Sequence, residues 1–338
     1  MNSFGRIFRV HIFGESHGEC AGLTIDGCPA GLSLTAEDFV ADIERRKPGA
    51  KGTTPRKEDD IPQIKSGLFN GKTTGAPITI LFENKNTRSA DYEKLRAVPR
   101  PGHADFVASK KFGGYEDYRG SGHFSGRLTV CLVAAGVVAK KILPPLAAKE
   151  GAGVSIVAGI IEIGGETDLD KGLQKAIDAK DSVGGIVECK VTGLPVGLGE
   201  PFFDSAESLI SHAVFAIPAV RGIEFGTGFA AAKMFGSQHN DAIENKRGKT
   251  FTNHAGGIVG GITNGNELTF RIAIKPTSST PKEQQTLNIE TDAVENFSVK
   301  GRHDLCIALR VPVILEAVTA VVLADLMMLE QHISRVNP

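Results

Sequence analysis

Between Ile7 and Phe13 the apolar residues Phe8, Val10 and Ile12 alternate with Arg9 and His11, the period-two pattern of a half-buried strand that runs into Gly14–Gly18 (GESHG). Ala76–Glu83 is rich in β-branched residues and predicts a second strand, and Glu267–Ile274 alternates in the same way. Ser155–Ile163 and Gly185–Val191 predict two more. Helical spacing fills the gaps. Thr35, with Asp38 three residues on, opens a helix that ends near Arg46, because Pro48 disfavours helix at the residue before it. Ser205–Phe215 is amphipathic at helical spacing. Arg127–Leu143 and the segment from about Val311 to His332 are apolar on nearly every side. They predict buried helices, the first stopped by Pro144-Pro145.

Strands and long apolar helices follow one another without a βαβ rhythm, so the class is α+β rather than a doubly wound sheet. The polar stretches 50–60 and 240–252 read as loops inserted into one domain spanning residues 1–338. Cys306–Leu329 is the most apolar stretch. Arg310, Pro312, Glu316 and Asp325 interrupt it, which predicts a core helix rather than a membrane span, and no membrane partner is expected. The amino-terminal residues lack the uninterrupted apolar run of a secretory signal.

Charge narrows the function. Lys and Arg number 38 against 39 Asp and Glu, so there is no basic excess to make nucleic acid the main partner. Cys20, Cys28, Cys131, Cys189 and Cys306 form no C-x-x-C pair. Neither a disulfide framework nor a metal site is indicated, and the expected location is cytoplasmic.

Three histidines sit in glycine-bearing, loop-like contexts. Ser16 and His17 are neighbours in GESHG, a poor arrangement for a nucleophile and its base, and no G-x-S-x-G elbow is present. His17 therefore reads as a proton donor or anion contact. In Arg100-Pro-Gly-His103-Ala-Asp105 the arginine offers a rigid fork to phosphate or carboxylate, and His103 either bonds Asp105 or moves a proton. Arg302-His303-Asp304 combines cation, imidazole and carboxylate, or is a plain surface ion pair. The loop Arg119–Arg127 leads into an apolar helix and either offers an anion its free N–H groups or is a plain helix-capping turn, without being a Walker or dinucleotide motif. Asn253–Gly261 brings backbone close to another chain element or to a flat cofactor ring. Lys275–Ser279 reads as a phosphate cradle or a capped turn. Together these stretches suggest acid–base chemistry on a charged, phosphorylated small molecule.

In order and spacing, FGESHG, RRKPG, RPGHAD, the SGxxSGR loop, PAVRGIEFG (Pro218–Gly226), NHAGGIVGG, KPTSS and GRHD resemble the chorismate synthase family, from Phe13 to the final helix. The resemblance implies a β-α-β sandwich with long helices packed between antiparallel sheets, assembled as a homotetramer. It implies a shikimate-pathway lyase that turns 5-enolpyruvylshikimate 3-phosphate into chorismate and phosphate by 1,4-anti elimination. Reduced FMN is required without net redox change, the flavin lending electron density as phosphate leaves and taking the C6 proton. NADPH would enter only indirectly, through a separate flavin reductase.

Carried over by position, His17 would protonate or stabilise the departing phosphate, His103 would set flavin protonation, and Asp304 would relay the proton. Substrate contacts would fall on Ser16, Arg46, Lys51, Arg100, Ser125, Arg127 and Arg302. Cofactor contacts would fall on His123, Phe124, Ser125, Pro218, Ala219, Gly260, Lys275, Pro276, Thr277, Ser278, Ser279 and Arg302. The chain departs from the family pattern at His123 and Phe124, which replace an arginine and a serine, and at Leu128, which replaces a glutamate. Lys51 stands where the family often has arginine, keeping the charge and losing the fork.

Overall fold

The computed structural model describes residues 2–49, 51–54, 59–85, 94–147, 153–299 and 303–332. Five strands, β1 (Ser3–Phe4), β2 (Arg9–Gly14), β3 (Cys20–Asp26), β4 (Gln63–Ile64) and β5 (Ile78–Glu83), form one antiparallel sheet in the order β1-β2-β3-β5-β4. Its register sets Val10 beside Ile25 and Ile25 beside Ile78, with Leu23 beside Ile80, so one face is apolar and buried. A second antiparallel sheet contains β6 (Ser155–Ile163), β7 (Gly185–Thr192), β8 (Val220–Phe225) and β9 (Leu268–Ile274), ordered β8-β9-β7-β6. Here Val187, Cys189 and Val191 pair with Ile272, Phe270 and Leu268, all buried.

Six helices of seven or more residues are described: α1 (Val40–Arg46), α2 (Asp105–Phe112), α3 (Thr129–Ala147), α4 (Leu169–Ala179), α5 (Ala206–Val214) and α6 (Val311–His332). Helix α3 packs on β2 and β3, α6 packs on β6 and β7, and the two helices pack on each other. The result is the sheet–helix–helix–sheet sandwich that the resemblance implied, built on the α+β class and buried helices that the pattern predicts. It also explains why α3 and α6 carry no polar stripe: each is covered on both sides.

By length and composition the stretch 307–330 is apolar enough to cross a membrane, but it lies mostly buried inside this sandwich. Its acidic interruptions have structural work. Asp325 Oδ1 accepts from the backbone N–H of Ile7 (2.7 Å) and Phe8 (2.9 Å), and Oδ2 from Arg6 (2.9 Å), fixing the chain that leads into β2. Glu316 accepts from Arg45 on α1, Lys140 on α3 and the Ala158 N–H of β6. One carboxylate thus ties α6 to the first sheet and the other ties it to the second.

Two boundaries differ from the sequence pattern. Helix α3 continues through Pro144-Pro145 to Ala147. Proline's fixed φ is helical, so a last turn can continue although N–H donors are lost. One tight turn, 36–39, precedes α1, with the Thr35 N–H donating to Asp38 Oδ2 at 2.8 Å. The strands β3 and β8 and the helices α2 and α4 were not expected from the pattern.

The two central helices approach closely at Gly136. A methyl group there would lie 2.3 Å from Ala317 Cβ and 2.4 Å from its Cα. Alanine favours helix over glycine by about 1 kcal/mol. Overpacking against backbone costs roughly 1–3 kcal/mol, and α6 cannot yield as a flexible side chain would. Gly136→Ala should therefore lower the denaturant midpoint, and Gly136→Val should lower it further. A rise in midpoint for Gly136→Ala would show that the helices separate at no cost.

Candidate active site

The GESHG loop leaves the end of β2 and is enclosed by the loop 119–127. Ser16 and His17 are both buried. Gly120 lies on them at φ +58, where a methyl group would stand 2.4 Å from His17 Cδ2 and 2.8 Å from Ser16 Oγ. Only glycine satisfies both the left-handed backbone and the close approach. Ser16 N–H donates to Gly122 O at 3.0 Å, joining the two loops. At the end of the loop Ser125 Oγ accepts from Arg127 N–H at 3.3 Å. Ser125 thus occupies one of the N–H groups that the sequence pattern offered to an anion.

The RPGHAD turn is organised around Asp105. Arg100 Nε donates to Asp105 Oδ2 and Arg100 Nη2 to Oδ1, both at 2.7 Å, while His103 Nδ1 is 2.7 Å from Oδ1. Arg100 also donates to Ser279 Oγ (3.0 Å) and Ser121 Oγ (2.9 Å), and His103 Nε2 lies 3.4 Å from Ser121 Oγ. Burial alone would raise the Asp105 pKa. The hydrogen bonds and charges of Arg100 and His103 outweigh it and hold the carboxyl well below the usual range. The expected phosphate cradle is a clasp on this same turn, because Lys275 Nζ and Ser278 Oγ both donate to Gly102 O.

A third group lies beneath. Asp60, whose side chain is 1% exposed, accepts from Arg46 Nη1 at 3.0 Å and from Arg127 Nη1. Arg46 spends further donors on Thr129 Oγ1 and Arg127 O, and Arg127 on Asn84 Oδ1 and Glu83 O. Asp304 Oδ1 accepts from Thr54 N–H at 2.8 Å and Oδ2 from Arg310 Nη1 at 3.2 Å, while Arg310 Nε donates to Arg46 O. The Asp304 side chain is only 11% exposed, so its ion pair with Arg310 of the following turn is largely buried rather than a surface pair.

These groups surround a cleft of about 220 Å³. Arg46, Arg100, Ser125, Arg127, Pro218, Thr277 and Asp304 line it, and Gly120 separates it from His17. Of the six buried side-chain atoms without a hydrogen-bond partner among the described residues, Thr277 Oγ1 and His303 Nε2 are on the cleft wall and Ser16 Oγ lies behind Gly120. Burial, followed by the Arg100 charge, lowers the His303 pKa and favours neutral imidazole. A second pocket of about 460 Å³, with His103 and Phe124 in its wall, adjoins at Ser121.

Several expected contacts lie elsewhere. Lys51 points away from the cleft and donates to Gln174 on α4 at 3.1 Å. Gly260 is exposed on a hairpin turn, with no atom within 4 Å of where a side chain would begin. His123 is held by Gly14 O (2.8 Å) and Asn2 Oδ1 (3.1 Å), and with Phe124 it lines a largely apolar cavity of about 550 Å³ that meets the cleft at Ser125, Thr129 and Pro218. Ala219 supplies its carbonyl to Lys275 N–H, and Pro276 lies against Gly184. The glycines of 253–261 answer the open alternative in part: Gly256 and Gly257 approach the backbone of Gly226 and Glu267. Arg302 lies outside the described residues. Sequence reasoning missed Asp60 and Arg310. Asp60 sits in a polar run with no motif, and Arg310 looks like a mere interruption of an apolar helix.

Asp105 yields a pH dependence. Because its folded pKa is depressed, its contribution to stability is present above the unfolded value of about 4 and is lost as pH falls toward the folded value. Asp105→Asn should cost about 3 kcal/mol at pH 7, the scale for breaking a buried pair. The gap between variant and parent in urea midpoint should narrow below pH ~4. A gap that stayed constant down to pH ~2 would show that the carboxylate charge is not what holds the turn.

Comparison with known proteins agrees with this geometry. Residues 8–328 match the family described as chorismate synthase. Over 336 residues the chain is 71% identical to the chorismate synthase of Chitinophaga pinensis, covering 99% of both chains. It is 43% identical to that of Dehalococcoides mccartyi, again covering 99% of both, and 41% identical to that of Methanocaldococcus jannaschii over 97% of this chain and 96% of the other. A solved structure described as a crystal structure of chorismate synthase superposes with a TM-score of 0.72 at 25% identity, covering 97% of this chain and 93% of the other. With the family model matched over residues 8–328 and relatives matched along its length, the chain belongs to the chorismate synthase family.

Proposed function

We propose that the cleft between the loop 119–127, Arg100 of the RPGHAD turn and the start of α6, with the GESHG loop behind Gly120, is where this chain carries out its family's reaction. As a member of that family it is a carbon–oxygen lyase of the shikimate pathway, converting 5-enolpyruvylshikimate 3-phosphate to chorismate and phosphate. The observation that carries the proposal is the pair of buried atoms Thr277 Oγ1 and His303 Nε2, without a hydrogen-bond partner among the described residues, on the wall of a cleft rich in arginine. Leaving a buried polar atom unpaired costs about 1–3 kcal/mol, so such a pair favours a polar ligand.

His17 would act on the departing phosphate as proton donor. Arg46, Arg100 and Arg127, with Ser16 and Ser125, would hold the phosphate and carboxylates. Asp105 fixes His103 at Nδ1, leaving Nε2 directed toward Ser121 and the adjoining pocket, as a positioned proton-transfer group requires. Asp304, oriented by Thr54 N–H and Arg310, would relay the proton released from C6. Lys51 is left out of this set, since it bonds Gln174 instead.

The residues present fit a flavin mononucleotide. Thr277 Oγ1 and His303 Nε2, unpaired among the described residues, with Pro218 and the Lys275–Ser279 segment beside them, would hold it. When bound, reduced FMN supplies electron density that eases departure of the phosphate without net redox change. The same reading treats residues 1–338 as one domain of a cytoplasmic homotetramer, with reduced flavin coming from a separate NADPH-dependent reductase. The exposed Phe202, Phe203, Phe229, Phe235 and Phe251 support assembly.

Asp304→Asn tests the reading most directly, because it keeps shape and removes basicity. In anaerobic single turnovers with pre-reduced FMN it should bind substrate nearly normally and lose most of its turnover; normal rates would reduce Asp304 to a partner of Arg310. His17→Ala should lower turnover by about 10- to 10⁴-fold, the range for one positioned proton donor.

Ligand coupling is a separate expectation. Arginines already paired with Asp60 and Asp105 need a polyanion to complete the cleft, so FMN should bind more tightly with substrate present. Equal affinities in titrations with and without substrate would remove the coupling.

A further inference from the structure

Asp60 has no role in the chemistry above, yet it lies on the floor of the cleft with its carboxylate enclosed. Its two oxygens are divided between Arg46 and Arg127. Its backbone sits at φ 51, in the left-handed region that aspartate tolerates better than most residues. Two guanidinium groups so close together, with Arg310 bonded to the Arg46 carbonyl, repel one another unless an anion lies between them. Burial lowers the Arg46 pKa first, the Arg310 and Arg127 charges lower it further, and Asp60 is the charge that opposes them.

We propose that Asp60 is the counter-charge and positioning residue of the substrate pocket: it holds Arg46 and Arg127 side by side and cancels one of their two charges. The pocket then grips a phosphate-bearing polyanion without retaining the inorganic phosphate that it releases. This rests on the reading of the cleft as the substrate site. Without Asp60 the arginines would present a doubled charge in loosened geometry. Free phosphate, which needs charge more than register, would bind more tightly, and the chemical step, which needs register, would slow.

The test uses inorganic phosphate as a competitive inhibitor of the purified, fully assembled enzyme, with substrate KM and kcat measured anaerobically on pre-reduced FMN. Asp60→Asn should tighten phosphate inhibition by about tenfold, the effect of one uncompensated charge at partly screened range, and should lower kcat. Asp60→Glu restores the charge and should return phosphate affinity to that of the parent. A residue that merely stabilises the fold would instead weaken phosphate and substrate together with the thermal midpoint, and that result overturns the proposal. If Asp60→Asn fails to fold, the same comparison is made in an Arg46→Gln background, where fewer charges are buried. Adding Asp60→Asn there should again tighten phosphate about tenfold, and no tightening overturns the proposal. Should phosphate fail to compete with substrate in the unaltered enzyme, the reading of the cleft is at fault instead.

Discussion

The contact between Gly136 on α3 and Ala317 on α6 sets the separation of the two central helices, and the rest of the molecule follows from it. Each helix carries one sheet on its outer side, so the helix spacing fixes the distance between the sheets. Gly136 lies about two turns into α3 and Ala317 a similar distance into α6. Thr129 and Val311, their first residues, both border the cleft. Two helix amino termini therefore converge where an anionic substrate is expected, and their partial positive charges favour it.

An interior built this way has to bury charge, and the pattern by which it does so is consistent. Asp325, Glu316 and Asp60 each join segments remote in sequence, Asp105 closes its own turn onto Arg100 and His103, and each carboxylate is saturated by N–H donors or cations. Breaking one such buried pair costs about 3–5 kcal/mol, more than a typical surface pair contributes. The first two carboxylates fix the helix layer to the sheets. The last two fix arginines and a histidine at the cleft. Charge thus acts mostly as a positioning device.

The period-two alternation of Ile7–Phe13 and Glu267–Ile274 made β2 and β9 legible, because one face of each strand is buried. The unbroken apolarity of α3 and α6 likewise announced helices covered on both sides. Strand β3 was harder, since Ala21, Gly22, Leu23, Thr24 and Ile25 mix burial with small residues and lack clean alternation. At the site, His17, His103 and Asp304 stood out because glycine and charge surround them in sequence. Asp60 did not. Its two partners lie 14 and 67 residues away, and local pattern carries no trace of so distant a pairing. Lys51 shows the converse: a plausible charge at a plausible position is drawn to Gln174 because α4 passes nearby.

Among the described residues the cleft gathers Arg46, Arg100, Arg127 and Arg310 against Asp60, Asp105 and Asp304. With every carboxylate ionised, four positive charges meet three negative ones, leaving a surplus of one. A substrate with one phosphate and two carboxylates carries more negative charge than that surplus. It therefore cannot be recognised by net charge alone and must draw donors from guanidinium groups that already have partners. Recognition then depends on the angles at which those groups are held, which double pairing by Asp60 and Asp105 makes rigid. A small anion of the same charge, unable to reach several arginines at once, gains little from that rigidity. The internal pairing that stabilises the empty cleft is thus also what would make it selective for an extended polyanion.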